Sequence, residues 1–351
     1  MSETPPIARN RAPSDVADDP WERLPGDADD LRALREALED LRSEIRTRFG
    51  AVARREETPP ARPTPAIDWD GMFSQLRRRL ATFGMREYSG EVDAFGFDAD
   101  ALESVRPVLD FLYETYWRVA LQGDSQLPEE GPALLVANRA GLLPYDAFMV
   151  GHAVERACGR DARPRIALGD DWMTLPIAQS RLTRLGAVRA CPENVERLLE
   201  AGHLVLVFPE GAQGATKEFG DRYRLQRFGR GGVMRVALEQ RVPVIPIGVV
   251  GSEEAQPLLH KSRTPAQVLG LPFVPLTATF PWLGPLGVLP LPTQWTIRVG
   301  APFALDGLHA DAVRDELLLS RLTEELRAAV QALVHDALGE RGSVFGFGDE
   351  S

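Results

Sequence analysis

Two short segments place ionisable side chains immediately after apolar runs, which is where a site built on strand ends would lie. The first, VANRAGLLPYD over residues 136–146, carries Asn138, Arg139 and Asp146, with six residues between the arginine and the aspartate. The second, VFPEGAQGATK over residues 207–217, brings Phe208, Pro209, Glu210 and Gly211 off the end of its run and sets Lys217 six positions beyond the glycine. A carboxylate so placed can orient a base or grip a hydroxyl. A guanidinium can pair with that carboxylate, or hold a phosphate or a developing oxyanion as a fixed cation. Arg222, Arg224, Arg227 and Arg230 follow Lys217 closely and are opposed by Glu218 and Asp221. This local basic excess could hold an anionic ligand, though such a run is more often simply a solvated face. Cys158 and Cys191 are the only cysteines, and neither has a Cys or His beside it at ligand spacing, so no metal site and no disulfide framework is expected.

The elements that must position these groups alternate. Short apolar runs (PALLVAN, PRIALG, GAVRA, HLVLVFPEG, VPVIPIGVVG and WTIRVG) are separated by stretches with helical spacing: Trp172–Leu185, Glu193–Ala201, Phe228–Gln240 and a terminal helix from His309 to about Leu338. Continuous apolar strands alternating with helices predict an α/β fold, a central mostly parallel sheet flanked by helices, with functional loops at strand ends. Ahead of it, ALESVRPVLDFLYETYWRVALQG repeats Val108, Leu112, Tyr116 and Val119 at helical spacing and is expected to be helical throughout.

The boundaries expected are a disordered tail over 1–27, a helix over 28–55, a Pro-rich linker over 56–67 and a helical lead-in over 68–125. An α/β domain over 126–340 and a flexible tail over 341–351 complete the chain. Within 28–55, Leu31, Leu34, Leu38, Leu41, Ile45 and Val52 draw a heptad seam interrupted by Arg48, so self-association through 31–52 competes with a helix that stays alone or lies on its own domain.

Composition narrows the function classes. A net charge of -11 argues against a general nucleic-acid binder, since affinity for phosphate backbones comes from clustered Lys and Arg. The first residues lack the apolar core of a signal peptide, and no run of ~20 apolar residues is free of helix breakers, so a cytoplasmic protein that meets membranes only peripherally, on their inner face, is expected. Between Arg263 and Arg298 lie 34 uncharged residues with seven prolines, which forbid a spanning helix. Loops of this kind can line an apolar channel, cover the sheet, or dip into a bilayer surface, where Trp282 and Trp295 would suit the interface.

In VANRAGLLPYD, in VFPEG and in VPVIPIGVVGSEE over 242–254, in that order, the chain resembles the lysophospholipid and glycerol-phosphate acyltransferases, across roughly Gly131 to Pro302. That resemblance implies transfer of a fatty acyl group from acyl-CoA or acyl carrier protein to a lipid hydroxyl such as that of a lysophospholipid or glycerolipid, with no bound cofactor. It also implies that Asp146 belongs to the catalytic machinery and that Glu210 and Gly211 contact the acceptor; Asn138, Phe208 and Pro209 in the same blocks are substrate-binding candidates, and Lys217 and Arg227 join them from the basic run. Arg189 is a weaker candidate for the family's second-block arginine.

The match departs at one position. Where the family's first block has a histidine that takes the proton from the acceptor hydroxyl, this chain has Arg139. A general base must be largely unprotonated near the working pH, and an arginine, with a pKa above ~12, is not. His152 lies six positions past Asp146 on an expected helix, a rotation of ~600°, which turns it off the aspartate's face. His203 begins the run leading to FPEG, at the far end from the site. The expectation is therefore an impaired acyltransferase. The alternative is a non-catalytic lipid- or acyl-carrier-binding protein that kept the fold and lost the base. A cytosolic α/β hydrolase is disfavoured because no G-x-S-x-G elbow is present.

Overall fold

Seven apolar runs form one sheet in the computed structural model, which describes residues 92–128, 131–141, 143–159, 163–262, 274–277, 289–303, 305 and 310–341. The expected tail, heptad helix and linker, the lead-in before residue 92, the tail after 341 and Trp282 lie outside the described residues. The strands are β1 (Ala120–Gln122), β2 (Ala133–Ala137), β3 (Arg165–Leu168), β4 (Ala187–Arg189), β5 (Leu204–Val207), β6 (Val244–Val250) and β9 (Thr296–Val299), in the order β1-β9-β6-β2-β5-β3-β4. A separate antiparallel pair joins β7 (Leu258–Ser262) to β8 (Val274–Thr277). Strands β2 to β6 are mutually parallel, β9 is antiparallel to β6, and β1 is parallel to β9. The mostly parallel sheet expected from the sequence is thus present, and β2, β5 and β6 are completely buried, as strands covered on both faces must be.

Helices cover both faces. On one side lie α1 (Ala99–Phe111) and α2 (Tyr145–Cys158), packed with Trp117, Met149, Ile166, Leu206 and Ile247. On the other lie α5 (Pro192–Glu200), α7 (Gly232–Gln240) and α9 (Glu316–Gly339), packed with Leu198, Val205, Met234, Val244 and Val330.

Several elements differ from the sequence expectation, each for a local reason. The lead-in does not stay helical. After α1 the chain loosens into a π-helical turn over Leu112–Tyr116, Trp117 N–H donates to the Leu112 carbonyl at 2.9 Å, and Arg118 takes a positive φ of 44°. That reversal buries Trp117 completely against Trp295, ring centroids 4.4 Å apart, and releases Ala120–Gln122 as an edge strand. Trp295 is therefore core, only 1% exposed, the buried alternative and not the bilayer-interface one. The stretch Trp172–Leu185 divides into α3 (Asp170–Met173) and α4 (Pro176–Arg184), because the residue before Pro176, Leu175, is held extended. Helix α7 begins only after Gly231, whose φ of 91° suits glycine. Helix α9 begins after Asp315, whose carboxylate accepts the Leu317 and Leu318 N–H groups at 3.0 Å each.

The covering of β6 by α9 is unusually close at one point. A side chain on Gly248 would place its Cβ 2.8 Å from Leu333 Cβ and 3.0 Å from the helix backbone at Val334 N. Neither is the end of a flexible chain, so the helix as a whole would have to retreat. Gly248→Ala is expected to lower stability by about 1–3 kcal/mol through overpacking, read as a reduced urea midpoint without a change in slope.

Candidate functional site

Strands β6, β2 and β5 are neighbours and parallel, so the three segments that follow them emerge side by side at one edge of the sheet. Asn138 leaves β2 first. Its side chain is fully buried, the amide donates to the Val249 carbonyl at 3.0 Å, and the amide oxygen accepts the Val249 N–H at 2.7 Å. Both ends of the amide are used to join β2 to β6, so Asn138 braces the root of the site rather than reaching substrate as expected.

Arg139 is 4% exposed, and its guanidinium forms an ion pair with Asp146, which is fully buried. Asp146 sits in the first turn of α2 and also accepts the Ala140 and Ala147 N–H groups at 2.7 and 2.8 Å. Burial pushes the Asp146 carboxyl upward, while the guanidinium and the two N–H groups favour the carboxylate. The arginine lies 5.5 Å over the Phe208 ring, and its second terminal nitrogen, Nη2, is buried without a hydrogen-bond partner. A desolvated donor with nothing to bond is costly, and it is suited to an oxygen arriving from a ligand.

Glu210 closes the arrangement from β5. Its Oε1 accepts the Arg139 N–H at 2.8 Å, its Oε2 accepts the Gln226 N–H at 2.6 Å, and Lys217 Nζ lies 3.4 Å from Oε2. Burial raises its pKa above the ordinary carboxylate value, with Lys217 opposing. Gly211 adopts a φ of 56° and its N–H returns to the Phe208 carbonyl at 2.9 Å, tightening the turn out of the strand. Gly214, one turn later in α6 (Gly211–Ala215), is pressed against both partners: a Cβ there would lie 2.6 Å from Glu210 Cβ and 2.8 Å from Arg139 Cβ.

The arginines of the basic segment take the solvated-face alternative, and Lys217 takes neither. Lys217 has a buried side chain whose ammonium donates to Glu253 Oε1 at 2.7 Å and bridges toward Glu210, so its charge is already matched. Arg222, Arg224, Arg227 and Arg230 are exposed. Arg222 stacks on Phe219 at 4.3 Å and Arg224 lies 4.0 Å from Asp221. Arg189, at the end of the sheet-edge strand β4, makes a two-pronged contact with Asp170 at 2.6 and 2.8 Å. His152 is turned to Asp110, 2.9 Å away on α1, and His203 begins β5 at the opposite edge of the sheet.

Sequence reasoning missed Glu253, which follows β6 in the GSEE segment and accepts the Tyr223 N–H at 2.7 Å. It also missed a latch from the chain's end. Arg341, beyond α9, contacts the Tyr223 hydroxyl at 3.3 Å, Glu254 at 2.5 Å and the Gln294 carbonyl at 2.7 Å. The only sequence signal for either was the unexplained pair of carboxylates after an apolar strand. Two hollows adjoin parts of this segment cluster, one at Gly214 and Lys217 and the other at Phe208. A narrow cleft of about 10 Å³ is lined by Gly141, Gly214, Lys217, Arg222 and Glu253, and an apolar cavity of about 210 Å³ is bordered by Phe208, Pro209, Val195 and Val236.

Removing one partner of a buried ion pair leaves the other charge uncompensated. Asp146→Asn is therefore expected to cost about 3–5 kcal/mol, whereas the paired change Arg139→Met with Asp146→Leu costs much less. Chemical denaturation of the three proteins checks this.

Comparison with known proteins places the chain. The acyltransferase family profile matches residues 118–250. An uncharacterised protein of Mycobacterium tuberculosis (strain ATCC 25618 / H37Rv) is 38% identical over 278 residues, covering 78% of this chain and 77% of its own. One of Mycobacterium leprae (strain TN) is 37% identical over 321 residues, covering 88% and 87%. The crystal structure of the 1-acyl-sn-glycerophosphate acyltransferase of Thermotoga maritima aligns over 78% of this chain and 90% of that one, with 17% identity and a TM-score of 0.45. With relatives matched over most of their length, the chain belongs to one family with these mycobacterial proteins, and its residues 118–250 resemble the acyltransferases.

Proposed function

We propose that this protein transfers a fatty acyl group from an acyl-CoA or acyl carrier protein thioester to a lipid hydroxyl, such as that of a lysophospholipid or glycerolipid, more slowly than a histidine-bearing relative would. The observation that carries this reading is the buried Arg139 beside Glu210, paired with Asp146 yet left with one unpartnered donor nitrogen, Nη2. That donor suits the oxygen of a thioester carbonyl as negative charge gathers on it, a stabilisation that survives the loss of a base. The apolar cavity beside Phe208 and Pro209 is a suitable place for part of an acyl chain. Positioning and oxyanion stabilisation remain useful when a general base worth ~100–10,000-fold is gone. No resident cofactor is proposed, and the thioester is a co-substrate.

No helix among the described residues is long and apolar enough to cross a membrane, so a lipid acceptor would be met from the membrane surface. A second reading, a binding protein without turnover, is favoured by the ion pair itself, which occupies Asp146 and leaves it no imidazole to orient.

The two readings separate in an assay with labelled acyl-CoA and acyl carrier protein against a panel of lipid acceptors. Weak wild-type turnover and a gain of ~10-fold or more in Arg139→His are expected, since the imidazole would regain its aspartate. Absence of turnover in both proteins supports the binding reading. Vigorous wild-type turnover that vanishes in Arg139→Ala would show the guanidinium to be the principal catalytic group and would overturn the impairment.

A further inference from the structure

The cleft between the first and third blocks holds a carboxylate to which the family resemblance assigns no role. Glu253 is 7% exposed, and its two oxygens meet Lys217 Nζ and the Tyr223 N–H, both at 2.7 Å. It forms one wall of the cleft whose other walls include Gly141, two residues after Arg139, and Gly214, which packs on Arg139 and Glu210. A volume of about 10 Å³ is at the lower limit for one water-sized group, so an acceptor hydroxyl, rather than a head group, is what can enter. Two glycines line it: Gly141 has a φ of 83°, and a side chain on Gly214 would collide with Glu210 and Arg139. Arg139, which does not line the cleft but lies against the cleft residue Gly214, carries a buried Nη2 with no partner.

Resting on the acyl-transfer reading, we propose that Glu253 is the proton acceptor that serves this site in place of the missing histidine. The acceptor hydroxyl enters the cleft and passes its proton to a Glu253 carboxylate oxygen as its own oxygen bonds to the thioester carbonyl carbon. The carbon–sulfur bond then breaks, and the departing thiolate takes the proton back from Glu253. The products are one ester and one thiol, and no oxidant or further reactant is consumed. Lys217 is the positioning residue: its ammonium bridges Glu253 to Glu210 and fixes the carboxylate against the cleft wall.

The electrostatic setting agrees with this role. Burial holds Glu253 above the ordinary carboxylate range and the charge of Glu210 pushes the same way, against Lys217 and the Tyr223 N–H. A carboxylate raised in this way is a better proton acceptor near neutral pH and is deprotonated above its own pKa. The other charged groups near it are Glu218 and Arg222 at the cleft, the Glu254–Arg341 pair beside Tyr223, and His260, exposed and 3.8 Å from Glu218.

The test uses full-length protein, labelled palmitoyl-CoA, and lysophosphatidate or monoacylglycerol in mixed micelles, with kcat/KM followed against pH. Wild type is expected to lose activity on acidification, with its limb above the ~4.3 of an ordinary glutamate. Glu253→Gln should lose ~100-fold or more together with that limb, while Glu253→Asp keeps the limb at a lower rate. In an Arg139→His background the Glu253→Gln loss should shrink below ~10-fold, because an imidazole then takes the proton. His260→Gln should leave the profile unmoved. The proposal is overturned if Glu253→Gln keeps the wild-type profile, if its loss is equally large beside Arg139→His, or if His260→Gln removes the limb. Turnover by wild type with an unaffected Glu253→Gln sinks the role of Glu253 alone. No wild-type turnover with either acceptor sinks that role and the acyl-transfer reading together.

Discussion

The site depends on a guanidinium that has been taken out of water. Arg139 is buried at the end of the central strand, and a cation there is tolerable only because Asp146 is buried against it. The carboxylate is in turn held by the first turn of α2 and two backbone N–H groups, so its position is set by backbone on one side and by a permanent charge on the other.

A second buried charge arrangement lies beside the first and links it to the rest of the molecule. Lys217 joins Glu210 to Glu253, and Glu253 holds the Tyr223 backbone. Gln226, a few residues on, donates its N–H to Glu210. The segment after FPEG is thus tied at three points to carboxylates at neighbouring strand ends, which explains how a loop with many exposed arginines still presents a defined backbone to the site.

The fold was legible because the apolar runs of β2, β5 and β6 are uninterrupted, the pattern left by strands covered on both faces. The position of Glu210 was legible because it follows the β5 run closely, and that of Asp146 because it closes the polar segment that leaves β2. What could not be read were the effects of distant partners. Val108, Leu112, Tyr116 and Val119 follow a helical period, yet the burial of Trp117 on Trp295, far away in sequence, ends the helix and frees β1. Lys217 and Arg227 look alike in sequence, but one is buried between two carboxylates and the other is exposed. Asn138 sits in a chemically suggestive loop, yet Val249, in another strand, consumes its amide. Each miss concerns a polar or aromatic side chain whose partner is set by tertiary structure, about which local periodicity is silent.

The contact of Arg341 with Tyr223, Glu254 and the Gln294 carbonyl gives the far end of the chain a hold on the loop beside the cleft. Helix ends fray at low free-energy cost, and groups bonded to a fraying end share its fluctuations. Transient melting at the end of α9 would therefore slacken the Tyr223 segment, and whatever docks onto or clips the last residues gains leverage over how often the neighbouring pocket breathes.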